Sequence, residues 1–340
     1  RARIAQGLRD AGQGAAVITL ADSLAWLLNI RGSDLPRNPV VLGFAVIDTE
    51  GCVQVFADPA KFDADTRRAL GNQVAILPPE GFETALADLP GPVRVDPNTA
   101  PELVFLTLEA QGVAIAEADD PVIMPKACKT NAEIAGMRAA HLTDGAVMAR
   151  FLCWLDGVAP GGLTEIDVTR KLEEMRREAG ILDISFETIA GVGPHAALPH
   201  YRVTEASNIP LAEGQVLLID SGGQYANGTT DITRTMAVGD MPLEVSDAFT
   251  RVLQGMIGIS RLRFPRGLSG RDIDAVARAA LWAAGMDYDH GTGHGVGAAL
   301  CVHEGPARIS RVSEIPLAEG MILSNEPGYY REGAFGIRIE

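Results

Sequence analysis

The chain has 340 residues, 47% hydrophobic and 21% charged, with 29 Lys plus Arg against 44 Asp plus Glu and a net charge of −15. That length suggests two domains of ordinary globular composition. The acidic balance lacks the clustered positive charge that a nucleic-acid backbone or an anionic membrane requires, and no apolar run reaches the roughly 18 residues that span a bilayer.

Residues 1–125 alternate short helical and strand patterns. A helix is predicted over 4–11, stopped by Gly12 and Gly14. Strands over 40–47 and 52–57 flank Asp48-Thr49-Glu50-Gly51, a hairpin signal. A strand over 73–77, a helix over 82–89, a strand over 93–96 and a helix over 101–111 follow. This is the pattern of a small α/β domain, and it holds no chemical constellation. Asp119-Asp120-Pro121 marks the boundary region, which leaves 126–340 to a second domain. Thr130-x-x-Glu133 is a capping box that opens a long helix through about Leu155. Cys52, Cys128, Cys153 and Cys301 stand far apart with no C-x-x-C pair, which disfavours a zinc ribbon or a disulfide framework and suits a reducing cytoplasm.

The second domain repeats itself. Ile209-Pro210-Leu211-Ala212-Glu213-Gly214 recurs as Ile315-Pro316-Leu317-Ala318-Glu319-Gly320. Each copy runs into an apolar strand and then an acid, Asp220 in one and Glu326 in the other. Gly191-Val192-Gly193 before His200 is echoed by Gly295-Val296-Gly297 before His303. Gly162-Leu163-Thr164 with Ile166-Asp167 is echoed by Gly267-Leu268-Ser269 with Ile273-Asp274. Two copies are too few for a solenoid. They more naturally face each other across a pseudo-two-fold axis, which would bring Asp220 to Glu326 and His200 to His303.

Asn227-Gly228 between Asp220 and Asp231 reads as a hairpin. A two-residue loop centred there would pair Asp220 with Thr235, so placing the two aspartates opposite each other would need a looser loop or a bulge. Two such carboxylates close together call for a cation or a shared proton. His294, Glu326 and Glu340 are the remaining candidates. Glycines inside His290-Gly-Thr-Gly-His294 forbid a helix, so this is not the H-E-x-x-H pattern. Four carboxylates and one imidazole suit Mn2+, Co2+ or Fe2+, with Zn2+ admissible. Five ligands for two ions would require shared carboxylates.

The words around these residues are Asp220-Ser-Gly-Gly-Gln-Tyr, Gly228-Thr-Thr-Asp231-Ile-Thr-Arg-Thr, His290-Gly-Thr-Gly-His294, Val302-His303-Glu304-Gly305-Pro306, Ser324-Asn325-Glu326-Pro327-Gly328-Tyr329-Tyr330 and Gly336-Ile337-Arg338-Ile339-Glu340. Together they resemble the pita-bread metallopeptidases, and within them the Xaa-Pro aminopeptidases (aminopeptidase P) of the large three-domain kind. Trp26-Leu27-Leu28-Asn29-Ile30-Arg31-Gly32-Ser33-Asp34 resembles that group's middle domain, of creatinase N-terminal type.

The resemblance implies a pita-bread catalytic domain over 126–340 with a pseudo-two-fold internal repeat, preceded by the small α/β domain. It implies removal of the N-terminal residue from peptides with proline second, by two divalent ions, Mn2+ first and Zn2+ or Co2+ as alternatives. Asp220 would chelate one ion, His294 and Glu326 the other, and Asp231 and Glu340 both, with a metal-bridging hydroxide attacking the carbonyl. Glu326 would also shuttle a proton. His200 and His303 would stabilise the tetrahedral intermediate. His290, Tyr330 and Arg338 match positions lining the proline side. A homodimer is implied as well. The family's first domain would precede Arg1, and a further strand and extension would follow Glu340. One departure is His195-Ala196, where the family pattern has Asn-Gly; this loop would tune the site for the substrate's amino end. Sibling readings stay open: a prolidase, a methionine aminopeptidase, a creatinase-like hydrolase without metal, or a pita-bread relative that only binds peptides.

Overall fold

The computed structural model describes residues 1–158 and 161–340, which form two compact units, Arg1–Lys126 and Ala127–Glu340. Among the described residues no helix is long and apolar enough to cross a membrane.

The first unit contains α1 (Ala2–Asp10), β1 (Ala15–Ile18), α2 (Ala21–Leu28), β2 (Phe44–Asp48), β3 (Val53–Phe56), α3 (Ala64–Leu70), β4 (Val74–Leu77), α4 (Phe82–Ala87), β5 (Val93–Val95), α5 (Glu102–Ala110) and β6 (Ile115–Glu117), with α6 (Ile123–Ala127) at its end. The strands form one mixed sheet in the order β4-β3-β2-β1-β5-β6. Side-chain alternation divides the core between its faces. Ala16, Ile18, Ala45 and Ile47 pack on one side, and Ala15, Val17, Val46 and Val93 on the other. The predicted β2–β3 hairpin forms, with Asp48 Oδ1 accepting from the Glu50 and Cys52 amides at 2.9 Å each. The strand expected over 40–47 starts only at Phe44, because Asp34 engages the preceding stretch. The Leu42 amide donates to Asp34 Oδ2 at 2.7 Å, and the Asp34 amide donates to the Val40 carbonyl at 3.4 Å.

The second unit opens with α7 (Asn131–Asp156), whose N-terminus carries the expected Thr130–Glu133 capping box. Then come α8 (Glu165–Glu178), β7 (Asp183–Ile184), β8 (Ile189–Val192), β9 (Gln215–Ser221), β10 (Gly223–Tyr225), β11 (Gly228–Thr229) and β12 (Ile232–Val238). The second half contains α9 (Leu243–Arg261), α10 (Gly270–Trp282), β13 (Gly293–Gly295), β14 (Glu304–Ile309), β15 (Gly328–Arg331) and β16 (Phe335–Arg338). Two helices followed by strands thus occur twice.

The repeat holds down to single hydrogen bonds. Thr164 bridges Pro210 and Ser269 bridges Pro316. The Leu211 amide donates to Leu163 O at 2.9 Å, and the Leu317 amide to Leu268 O at 2.8 Å. Gly214 and Gly320 both hold positive φ, 82° and 89°, which a side chain would strain. The capping acids are Asp167 on Thr164 and Asp272 on Ser269. The echo of Asp167 is therefore Asp272, two residues before the Asp274 that the sequence match suggested. The strand expected after Gly320 is reduced to a short ladder. The Ser324 amide donates to His294 O and the Glu326 amide to Thr292 O, each at 2.8 Å. This architecture is the pita-bread fold preceded by a smaller α/β domain.

Candidate active site

The hairpin register sets the first two acids. The turn is Ala226-Asn227, because Tyr225 pairs with Gly228 and Gln224 with Thr229. Moving the loop back by one residue shifts the pairing by two, so Asp220 faces Thr233 rather than Thr235. Asp231 lies two positions before Thr233, on the same face and diagonal to Asp220. The two aspartates converge without a bulge between them. Thr233 and Thr235 share that face and hold β16. The Thr235 hydroxyl donates to Arg338 O at 2.8 Å and accepts from the Arg338 amide at 3.1 Å. The Thr233 hydroxyl donates to Glu340 Oε2 at 3.1 Å. Gly336 lets β16 lie directly on the turn Gly193–Ala197, since a Cβ there would sit 1.8 Å from the Ala196 carbonyl oxygen.

Asp220, Asp231 and Glu340 each present a carboxylate oxygen, and the three lie within 4.8 Å of one another. The second half supplies the other candidates. His294 Nδ1 donates to Gly295 O at 2.9 Å, which leaves Nε2 3.4 Å from Asp231 Oδ2 and 3.2 Å from Glu326 Oε1. Ser324 Oγ donates to Glu326 Oε1 at 2.9 Å and accepts the His294 amide at 3.0 Å.

The protonation pattern follows from this crowding. Burial, reinforced by Asp220 and Glu326, raises the Asp231 carboxyl to about 7 despite its bond to His294. Burial and the surrounding carboxylates raise Glu340 well above the usual range. Burial alone would lower His294, but its bonds to Asp231 and Glu326 raise it to about 10. Burial opposes ionisation of Glu326 as well, yet His294 holds it below its ordinary value.

Asp220 Oδ1 and Glu340 Oε1 are buried with no hydrogen-bond partner, and unpaired buried acceptors of this kind are rare. Clustered carboxylates, two of their oxygens orphaned, and one imidazole form a donor set that fits divalent cations.

Asp220, Asp231, His294 and Glu326 line one cavity of about 690 Å³ together with His200, His303, His290 and Arg338. The His303 ring meets His294 edge-on, with centroids 4.3 Å apart, and burial followed by the His294 charge lowers its pKa. Tyr330 stands behind the lining. Its hydroxyl donates to His290 Nε2 at 2.8 Å, since His290 Nδ1 donates to Gly291 O, and accepts from Arg338 Nη1 at 2.7 Å. Burial raises the Tyr330 phenol to about 12 and lowers His290. His195 is absent from the cavity wall. Its Nδ1 bonds buried Glu165 at 2.8 Å and its ring stacks on Tyr201 at 4.4 Å.

Two buried ion pairs that the sequence did not reveal support the site from behind. Asp144 on α7 takes Arg176 of α8 through Nε at 2.7 Å and Nη2 at 3.0 Å, and accepts the Thr230 hydroxyl at 2.7 Å. In the second half Asp274 takes Arg278 Nε at 2.6 Å and the Thr292 hydroxyl at 2.6 Å. Thr230 adjoins Asp231, and Thr292 O receives the Glu326 amide. Each half thus braces its site strands with an Asp-Arg-Thr cluster. The second pair is at least foreshadowed by its i, i+4 spacing on one helix.

Residues 135–340 match metallopeptidase family M24, and residues 1–133 match the creatinase/prolidase N-terminal domain. The probable Xaa-Pro aminopeptidase P of Paracoccidioides brasiliensis (strain Pb18) is 40% identical over 345 residues, covering 95% of this chain and 56% of that protein. Xaa-Pro aminopeptidase 1 of Dictyostelium discoideum is 41% identical over 336 residues, covering 95% and 53%. The crystal structure of X-prolyl aminopeptidase from Caenorhabditis elegans, a cytosolic enzyme with a di-nuclear active site, superposes with a TM-score of 0.92 at 37% identity, covering 99% of this chain and 57% of that one. The chain thus spans about half the length of the curated relatives it matches. On the M24 match over its larger unit, the chain belongs to metallopeptidase family M24 and carries a creatinase/prolidase N-terminal domain before it.

Proposed function

We propose that the protein is a metal-dependent aminopeptidase that releases the N-terminal residue from peptides with proline in second position. The observation that carries this reading is the convergence of Asp220, Asp231, His294 and Glu326 on one cavity, with Glu340 beside the two aspartates and two orphaned carboxylate oxygens in the cluster. The names of the relatives and the di-nuclear site of the nematode enzyme support it.

Asp220, Asp231, His294, Glu326 and Glu340 would hold two divalent ions, with Mn2+ preferred. Bound there, such ions supply Lewis-acid polarisation of the scissile carbonyl and a lowered water pKa. Glu326 takes the proton of the attacking water and returns it to the departing nitrogen. His303 and His200 line the same wall and donate to the oxyanion of the tetrahedral intermediate. His290 offers an imidazole face to the proline ring, and its orientation is fixed by Gly291 O and the Tyr330 hydroxyl. Proline has no amide N–H, so this wall needs shape rather than an acceptor. Arg338 anchors the network through Asp220 and Tyr330 while it lines the cavity.

A cytoplasmic homodimer is part of the same reading. The four free cysteines and the cytosolic nematode relative support the location. The test is metal analysis of the full-length protein together with turnover of Arg-Pro-Pro, Ala-Pro and a matched Xaa-Ala peptide. Two ions per subunit and cleavage of Arg-Pro-Pro are expected. Cleavage of Ala-Pro alone would make it a prolidase, and efficient cleavage of Xaa-Ala would remove the proline assignment.

A further inference from the structure

The cavity wall carries five arginines, Arg202, Arg278, Arg308, Arg311 and Arg338. Four are already neutralised: Arg202 by Glu187, Arg278 by Asp274, Arg311 by Asp287 and Arg338 by Asp220. Among the described residues the Arg308 side chain makes no hydrogen bond or ion pair, and it is exposed on the cavity wall.

Its position is defined by the β14–β13 ladder, in which Arg308 lies directly opposite His294. Opposite residues of an antiparallel pair share a face, with Cβ atoms about 4.5–5.5 Å apart. The backbone at this point is fixed. Gly270, at the start of α10, approaches so closely that a Cβ there would sit 1.7 Å from the Arg308 carbonyl oxygen. Beyond Arg308, Ser310 and Arg311 follow the wall past Gly293 and Gly291 toward His290, all of them lining the cavity. A free guanidinium therefore stands on a rigid strand, between the metal-type ligands and the wall assigned above to proline.

We propose that Arg308 recognises a carboxylate on the substrate, one or two residues beyond the scissile bond. This inference rests on the peptidase reading of the site. A planar guanidinium matches a carboxylate bidentately, and in the open mouth of a cavity the contact supplies specificity rather than catalysis. The carboxylate has two sources, the C-terminus of a short peptide or an acidic side chain at the third position. In either case the site favours small or acidic Xaa-Pro peptides over neutral, extended ones.

The experiment compares full-length wild type, Arg308→Gln and Arg308→Lys on four substrates: Ala-Pro-Ala as free acid and as amide, and the amides of Ala-Pro-Glu and Ala-Pro-Gln. Metal content is measured in parallel. Arg308→Gln is expected to raise KM about tenfold for the carboxylate-bearing member of one pair, with kcat and metal content unchanged. Arg308→Lys should restore part of that loss. A change confined to the free acid identifies the C-terminus, and one confined to the Glu peptide identifies the side chain. Equal effects on all four substrates, no effect on any, or a loss of metal would overturn the proposal. Calorimetric binding of Pro-Ala as acid and as amide gives a readout without turnover. Acid preference that disappears in Arg308→Gln, in a protein that cleaves nothing, would retain the recognition site and reject the peptidase. Normal Xaa-Pro cleavage with no acid preference in binding or turnover would do the reverse.

Discussion

Arg338 Nη2 lies 2.6 Å from Asp220 Oδ2, and the side chains are only 3% and 11% exposed. The same guanidinium reaches the Tyr330 hydroxyl and the Pro199 carbonyl. Burial alone would lower its pKa, but Asp220 and Tyr330 raise it instead. Asp220 therefore enters the site with one oxygen neutralised by arginine and the other free. Arg338→Met leaves a buried, uncompensated carboxylate, a change that typically costs about 3–5 kcal/mol. The variant should lose stability by about that amount in chemical denaturation and should retain fewer than two ions per subunit. Full metal occupancy with unchanged stability would show that the pair is dispensable.

The acid cluster gives the metal-free protein a pH dependence of defined sign. The Asp231 carboxyl sits at about 7 in the folded state, against about 3.9 in an unfolded chain. Between those values the native state binds the extra proton, so stability falls as pH rises through the window. Glu340 is raised too and acts in the same direction. His294, raised to about 10, adds stability that is full below its unfolded value near 6.5 and is lost as pH rises through 10. Chelator-treated protein should therefore melt higher at pH 5 than at pH 8, and added Mn2+ should flatten the difference. Asp231→Asn should raise the metal-free Tm at pH 8 while abolishing activity and at least one ion. A flat metal-free profile would mean that the carboxylates are less crowded than the structure places them.

The legible part of this site was the part encoded in contiguous words. Tight turns and candidate ligands need particular residues in fixed order, as in Gly214 to Asp220 or Ser324 to Glu326. The duplicated hexapeptide exposed the repeat because each copy makes the same bridge to a helix-capping residue, Thr164 in one half and Ser269 in the other. Register was less legible. Asn227-Gly228 has turn chemistry, yet the chain turns one residue earlier, and that single step moved the partner of Asp220 from Thr235 to Thr233. Asp144 and Arg176 were silent because they come from different helices and meet only through packing. Thr233 and Thr235 read as strand formers, and nothing local told that their hydroxyls hold Glu340 and Arg338. β1 and α2 carry mostly apolar residues with no turn punctuation between them and escaped the pattern reading.

Asp144 offers a test of support at a distance. Its side chain is fully buried and accepts Arg176, Tyr225 and Thr230. Burial would raise its pKa, but Arg176 and these hydroxyls lower it, so it is held as a carboxylate. Asp144→Asn weakens the Arg176 pair and the Thr230 bond beside Asp231. The expected result is a stability loss of about 3–5 kcal/mol, the range for a broken buried pair, with weaker metal affinity at unchanged KM. Asp274→Asn should have the same effect in the second half, through Thr292. Normal metal affinity in a destabilised Asp144→Asn protein would reduce the pair to scaffolding.

His303 separates metal holding from transition-state binding. It lines the cavity edge-on to His294 and has no carboxylate hydrogen bond among the described residues, and the proposed mechanism has it donate to substrate rather than complete the acid cluster. Losing one such donor typically costs about 2.7–4 kcal/mol of barrier, about two to three orders of magnitude in kcat. His303→Ala in the full-length protein should show that loss on Arg-Pro-Pro, with two ions still bound. His303→Gln, which keeps a donor, should recover part of it. A drop in metal content that tracks the drop in kcat would instead make His303 a ligand.

Tyr330 decides whether the His290 wall selects proline. Its hydroxyl joins His290 Nε2 to Arg338 Nη1, at 2.8 and 2.7 Å. Tyr330→Phe removes that link and preserves the ring. His290 Nε2 then loses its donor, and the imidazole is free to rotate off the position proposed to meet the proline ring. Lost positioning of a binding wall raises KM with little change in kcat, whereas a disordered metal site lowers kcat. Arg338 keeps Asp220 in the variant, so metal binding should persist. The expected outcome is a smaller preference for Xaa-Pro over matched Xaa-Ala peptides, expressed in KM, with both ions retained. Tyr330→Ala should enlarge the effect by removing the ring that supports His290 from 5.4 Å. An unchanged proline preference in both variants would take Tyr330 out of substrate selection and leave it as a brace for Arg338.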